Sequence, residues 1–500
     1  MADRPHQIPL QTRSHTLLRP ALLVAYAAVY LLLFLPGALD QAIVYETLGV
    51  TALALWFGPI ALVGAGSRRR WYDPATLFNL AVFYYAIKGV SLAMGEPVVY
   101  LQGYSASDIA RLYASAALYL ACGLITWNWT YHAILSHGGA PTAGAGAARS
   151  RGREPWPLRN RITRSVPILS LAGAVSLVLF SHATRQSLWA FLRDPALLTY
   201  LTDGTLGIAA PLANVWRMGA YLLPLASIVW LAVTLAQGGR PGVLWGVHAT
   251  AGLLIYILIG RRAGTAGYVL SLLVAYRLST GSVPVPILLG VGPATLIYAY
   301  AISAWRSITA STAGMSGGLQ GLVGSINLGG IGGFLSGTDM SDIRLFPLVI
   351  DVYGRLRPLK YGTTLLLTVS QFMLRSLWPN KPLDLGLEMA ALYDRPGSLA
   401  GTPPGFFPEW FMNFDLIGII VGAALWGAGL AWLYRKWVLD RPNTLGTILY
   451  AILVPEVLLL PSTSIGNNIG EAMVPMGALA AVLLALRWVE RPAHAPSCPP

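Results

Sequence analysis

The chain has 500 residues, of which 55% are hydrophobic and only 11% are charged, whereas soluble proteins carry about 25% charged residues. That shortage excludes an ordinary soluble enzyme and leaves long apolar runs that only a bilayer accommodates. The formal charge of +13 invites a nucleic-acid reading. However, the cations flank apolar runs instead of forming a patch of their own, so no nucleic acid is expected as a partner.

The segment 1–20 is polar and basic, and no small-residue cleavage signal closely follows the apolar run after it. It reads as the approach to a retained helix, not as a signal peptide. Apolar runs long enough to cross hydrocarbon, roughly 17 to 25 residues, fall at 20–37, 47–66, 75–95, 110–131, 165–182, 214–236, 243–260, 264–280 and 285–303. Three more follow at 416–434, 444–461 and 471–488. The expectation is an all-α integral membrane protein of about twelve transmembrane helices, each closing its backbone hydrogen bonds internally. Cys122 lies within one of these runs and Cys498 in the tail, which excludes a disulfide framework and a cysteine-based zinc site. No HExxH or similar spacing occurs among the scattered histidines, so neither metal nor cofactor is expected.

Lys and Arg orient the helices. With the N-terminus inside, the short cytoplasmic connections hold Arg68, Arg69 and Arg70, the arginines from Arg149 to Arg164, Arg435 with Lys436, and Arg487 with Arg491. This positive-inside pattern predicts both termini in the cytoplasm. The linker 138–164, rich in Gly, Ala and Arg, reads as flexible, with its charge serving topology and anionic lipid. Three regions result: a nine-helix membrane region at 1–303, a large extracytoplasmic loop between helices 9 and 10 at 304–415, and three final helices with a cytoplasmic tail at 416–500.

A loop as long as 304–415 is usually functional. Within it the apolar stretch 361–378 is expected to be interfacial or re-entrant, because a further crossing would carry Arg435 and Lys436 outside. The glycine-rich stretch 314–337 lacks the GxxxxGK[ST] pattern of a P-loop and reads as a pliable connector or a flap.

Three groups on the outer side are candidates for chemistry. Arg261 and Arg262 sit at the turn before the 264–280 run, where guanidinium forks and a helix N-terminus both suit phosphate oxygens; snorkelling to headgroups is the alternative. Arg375 and Lys381 bracket the rigid turn Trp378-Pro379-Asn380, which serves equally as an interfacial anchor. Glu409, Asn413 and Asp415 lead into the 416–434 run. Aromatics and prolines around Glu409 suit a carboxylate for acid–base work, while Asn413 and Asp415 suit a helix cap. Lys88, Arg217 and Glu456 lie in or beside apolar runs, where insertion costs about 2.5–3.5 kcal/mol each, so each is expected to face protein or water.

The turn LIGRRAGTAGYVLSLL resembles the "G-x-R-G then apolar helix" element of Wzy-type O-antigen and oligosaccharide repeat-unit polymerases. The stretch RSLWPNKP followed by GTPPGFFPEWFMNFDLIGIIVGAALWGAGLAWLYRKW resembles their "P-x-K-P … P … E … N-F-G-x-x-G … G" element. The likeness covers mainly 255–280 and 370–437, and Asp415 stands where many members have Gly. The resemblance implies a glycosyltransferase that moves a growing glycan from one polyprenyl diphosphate onto an incoming lipid-linked repeat. It further implies Arg261, Arg262, Arg306, Arg375 and Lys381 as diphosphate binders. Glu409 becomes the base for the acceptor hydroxyl if the anomeric centre inverts, or an acceptor-positioning group if it is retained; Asn413, Asp415 and Arg217 are further acceptor-positioning candidates. Implied partners are the polyprenyl-diphosphate-linked oligosaccharide, membrane lipids, a chain-length regulator and a flippase.

Rival readings are a lipid-linked oligosaccharide flippase or transporter, an O-antigen ligase, and a mannosyltransferase-like enzyme working through Asp40 and Glu46. A transporter calls for ionisable groups at the midplane and internal pseudo-symmetry, and no repeat stands out.

Overall fold

The computed structural model describes residues 71–82, 104–136, 156–185, 187, 209–258, 262–283, 287, 290, 294, 345–370, 378, 385–392, 403–440 and 442–490. These residues are mostly helical, and no strand occurs among them. The runs expected at 20–37 and 47–66, the glycine-rich 314–337, and Asp40, Glu46 and Lys88 lie outside the described residues.

Twelve helices of eight residues or more can be followed with both ends described: α1 (Ala106–Ser136), α2 (Trp156–Thr184), α3 (Ala209–Ala220), α4 (Leu222–Ala236), α5 (Val243–Leu258), α6 (Arg262–Thr280), α7 (Leu345–Val352), α8 (Thr363–Ser370), α9 (Leu385–Leu392), α10 (Phe406–Tyr434), α11 (Thr444–Leu459) and α12 (Ile465–Val489). Among the described residues, five helices are long and apolar enough to cross a membrane: Pro157–Thr184, Val215–Ala236, Phe406–Asp440, Thr444–Ser462 and Ile465–Val489. Their outer faces are apolar. Leu171 and Val178 on α2, Ile417 and Leu425 on α10, and Trp488 and Val489 on α12 are all more than half exposed. A soluble protein seldom shows so much bare hydrocarbon, and the chain is membrane-embedded.

Helix ends match the apolar runs at 243–260, 264–280 and 444–461 to within two residues, and α12 starts six residues before its run at 471–488. Three runs differ further. Helix α2 starts nine residues before the run 165–182. The run 214–236 divides into α3 and α4 at Tyr221; Pro224, which lacks an N–H, fits the first turn of a new helix better than the interior of a continuous one. The helix expected at 416–434 begins ten residues earlier, at Phe406, and is broken inside at Phe414 and Asp415. Only the first half of the stretch 361–378 is described as helix, and α8 packs there against α12 and α10.

The centre of the fold is the pair α1 and α10, which run in the same direction along most of their length. Glycine permits the approach. A Cβ on Gly123 would stand 2.3 Å from the Phe407 ring, and one on Gly427 would stand 2.7 Å from the Trp127 carbonyl oxygen. Close backbone approach through small residues is how helices associate where lipid supplies no hydrophobic drive. Phe78 stacks on Trp127 at 3.9 Å between centroids, with Phe406 and Phe407 edge-on around them. Around this pair, α6 packs on α11 and α4, and α2 packs on α3, α4 and α12.

Helix ends gather in two sets. One holds Tyr104, the 351–364 stretch, residues 409–413 of α10 and the start of α12, where Tyr104 bonds Asp351, Asn413 bonds Gly362 and Glu409 bonds the Ile465 amide. The other holds Tyr72, Tyr131, Tyr434, Tyr450 and the ion pair of Arg161 Nε with Glu490 at 2.6 Å.

Candidate functional site

The site grows from Gly405. Its φ of 92° is unfavourable for a side chain, and a Cβ there would lie 2.3 Å from the Pro461 carbonyl oxygen, so only glycine lets the chain enter α10 against the loop before α12. Phe406 then starts the helix, with Pro408 in its first turn, where the missing N–H costs nothing. This first part, 406–413, is buried residue by residue. It folds against the second part because Gly418 and Gly422 leave room: a Cβ on Gly418 would meet the Trp410 carbonyl oxygen at 2.3 Å, and one on Gly422 the Trp410 ring at 2.2 Å.

Glu409 is 1% exposed. Its Oε2 accepts a hydrogen bond from the backbone N–H of Ile465 at 2.6 Å, the first residue of α12. A carboxylate oxygen placed there satisfies one of the N–H donors that a helix N-terminus leaves without an intrahelical partner. Ser464 completes that end, its hydroxyl accepting from the Asn467 N–H.

Asn413 is fully buried and uses its amide in both directions. Its Oδ1 accepts from the Gly362 N–H at 2.8 Å, while its Nδ2 donates to Thr364 Oγ1 at 2.6 Å and to the Glu409 carbonyl at 2.8 Å. The Lys360 and Tyr361 N–H groups donate to the carbonyls of Met412 and Asn413. Residues 360–364 therefore form a strap across the end of the half-helix, bonded at four points.

The break follows at once. Asp415 has φ 58° and ψ −152°, a conformation close to the sparsely populated positive-φ region that costs a non-glycine residue of order 1–3 kcal/mol. Its side chain, exposed, accepts from the Leu416 N–H at 2.7 Å and so caps the second half of the helix. Asp415 thus bonds an N–H at the start of the second half-helix, and Asn413 ties the strap down.

Beside the strap is a cluster of acids, cations and tyrosines contributed by 104, 351–360 and 388. Asp351, 4% exposed, accepts from the Tyr104 hydroxyl and pairs with Arg355 at 2.6 Å. Glu388 accepts from the Tyr353 hydroxyl at 2.8 Å, pairs with Lys360 at 2.6 Å and stands 3.9 Å from Arg357. Burial, with the Glu388 charge beside it, pushes the Tyr353 phenol well above its ordinary value. The signal was present as R-x-R-P-x-K at 355–360, but its partner Glu388 lies too far along the chain to suggest a cluster.

Of the other predicted site residues, Arg262 opens α6 as expected of a helix N-terminus, and Arg217 lies half-buried in the last turn of α3. Arg261, Arg306, Arg375 and Lys381 lie outside the described residues. The structure thus brings Glu409 and Asn413 together, with Asp415 at the break just after them. No family model matches the chain, and neither a curated protein nor a solved structure matches it.

Proposed function

We propose that the chain is a membrane glycosyltransferase that polymerises polyprenyl-diphosphate-linked oligosaccharide repeats on the outer face of a bacterial inner membrane. In this reading it has about twelve transmembrane helices, the count the apolar runs give, and both termini in the cytoplasm. The observation that supports it most is the construction at the start of α10. There a spanning helix is interrupted, and a buried carboxylate and a buried amide fix the interruption. Transfer from a lipid diphosphate needs two things at a membrane surface. Cations must stabilise the charge developing on the departing diphosphate, and a rigid wall must hold the acceptor hydroxyl in line.

In this reading Arg261, Arg262, Arg306, Arg375 and Lys381 bind the diphosphate. Glu409 acts as a positioning residue rather than a base, because its carboxylate is buried and bonded to the Ile465 amide. Asn413 and Asp415 shape the same wall, and Arg217 contributes from α3.

In a strain lacking the gene, loss of the long polysaccharide ladder with single repeats still attached to the acceptor is the expected phenotype. Complementation with Arg262→Ala or Arg261→Ala at normal protein level is expected to leave single repeats only. A full ladder from both variants removes the site assignment, and complete absence of capped acceptor in the deletion strain points to a ligase or flippase. The flippase or transporter reading has one observation in its favour, the interrupted helix itself, since discontinuous helices are how transporters present half-helix ends to substrates. It predicts normal polymer from translocated substrate in a reconstituted system lacking this chain.

A further inference from the structure

Residues 416–434 form a helix about 28 Å long at 1.5 Å per residue, close to the roughly 30 Å thickness of bilayer hydrocarbon. The break at Phe414 and Asp415 therefore stands at the level of the headgroups. The strap bonded to Met412 and Asn413 stands there as well, and so does the turn leading into it, Gly354-Arg355-Leu356-Arg357-Pro358-Leu359-Lys360-Tyr361.

That turn carries three cations against two carboxylates, and the two kinds of group face opposite ways. Asp351 and Glu388 are turned inward, with side chains 4% and 19% exposed, while Arg355 and Arg357 are 57% and 51% exposed. Two guanidiniums and one ammonium bring about thirteen N–H donors, more than the roughly eight acceptor positions of the two carboxylates. The acids work as anchors that fix the cations and leave donors pointing out. Between and beside the cations, Leu356 and Tyr361 are 60% and 72% exposed. Tyr361 takes φ 47°, so the chain bears strain in a conformation that leaves its ring outside. Cations flanked by protruding apolar side chains at headgroup depth match a phosphate over acyl chains: the guanidiniums meet the anion and the apolar groups enter the hydrocarbon boundary.

We infer that this turn is a docking site for the phosphate of an anionic phospholipid headgroup, with Arg355, Arg357 and Lys360 as donors and Leu356 and Tyr361 as the apolar contacts. The occupant is a bulk bilayer lipid, and the site is independent of whether the chain is a polymerase.

The test uses the full-length protein in mild detergent, titrated with phosphatidylglycerol or phosphatidylcholine of the same acyl chains and read by native mass spectrometry. Wild type is expected to retain phosphatidylglycerol selectively. Arg357→Gln is expected to lower that retention about fivefold, the equivalent of about 1 kcal/mol for one basic residue at an anionic surface, while Arg357→Lys retains most of it. Leu356→Ser touches no ion pair, so it keeps the question open to refutation if Arg357→Gln fails to fold; it is expected to weaken retention of both lipids. Unchanged phosphatidylglycerol retention in folded Arg357→Gln, or in Leu356→Ser where Arg357→Gln does not fold, overturns the inference. So does a polyprenyl diphosphate that displaces the phosphatidylglycerol and is itself lost in Arg357→Gln, which would assign the turn to a diphosphate lipid.

Discussion

At its first end α10 is held by Glu409 and Asn413, polar side chains buried among the starts of other elements, whereas at its last end it is held by Tyr434, whose ring lies 5.4 Å from that of Tyr450. The first end is interrupted and includes a strained residue. The last end continues without a break into a π-helical turn, Arg435–Asp440, and Tyr450 donates its hydroxyl to the Tyr72 carbonyl. Asp73 joins this second end by capping the helix that starts at 74, its Oδ1 accepting from the Ala75 N–H at 2.9 Å. The tyrosine end is a conventional scaffold of rings and caps. The polar end holds a buried carboxylate and a poor backbone conformation in place only because several distant segments converge on it, and strain of that kind collects at working regions.

Substitutions that separate the two ends sharpen this contrast. The largest effect is expected from Gly405→Ala. It adds a Cβ 2.3 Å from the Pro461 carbonyl oxygen at positive φ, for a loss on the order of 3–4 kcal/mol from strain and overpacking together. A thermal unfolding curve in detergent indistinguishable from wild type would break the picture of a pinned entry to α10. Glu409→Ala is next, at about 2–3 kcal/mol, because it strands the buried Ile465 N–H. Glu409→Gln, which can still accept from that N–H, should recover most of the melting temperature. Asn413→Ala removes the bonds to Gly362 and Thr364 at about 2 kcal/mol, and hydrogen exchange is expected to rise across 360–366 and not at 444–450.

Smaller changes go in opposite directions at the two ends. Asp415→Gly should stabilise by about 1 kcal/mol, the relieved backbone strain outweighing the lost cap; a lower melting temperature would show that the capping bond to Leu416 dominates. Tyr450→Phe at the scaffold end is expected to cost about 1 kcal/mol and to leave hydrogen exchange at 360–366 unaltered.

Much of the scaffold is legible in the sequence. Helices α5, α6 and α11 follow their apolar runs because length and hydrophobicity are properties of the segment alone. Helix α2 reaches beyond its run into Arg159, Arg161 and Arg164, whose long stems can lie along apolar surface. The start of α10 is not legible, since Pro404, Gly405, Pro408 and three polar residues read locally as a loop. The helix exists there because Glu409 finds an amide at 465 and Asn413 finds 362 and 364, pairings that no local pattern reveals. Glu409, Asn413 and Asp415 could be singled out as candidates from their residue types and neighbours. Their division of labour, anchor, tie and cap, depends on partners 56, 51 and one residue away.

The pairing of Arg161 and Arg164 with Glu490 bears on how the chain is made. More than three hundred residues separate the cations from the carboxylate, so as α2 leaves the ribosome no Glu490 exists to neutralise them, and their full charge can hold that end of the helix back from translocation. Once α12 has been synthesised, the same charges become a clasp between an early helix and the last one described. Charges that stand alone in the nascent protein thereby become a fastening of the finished one.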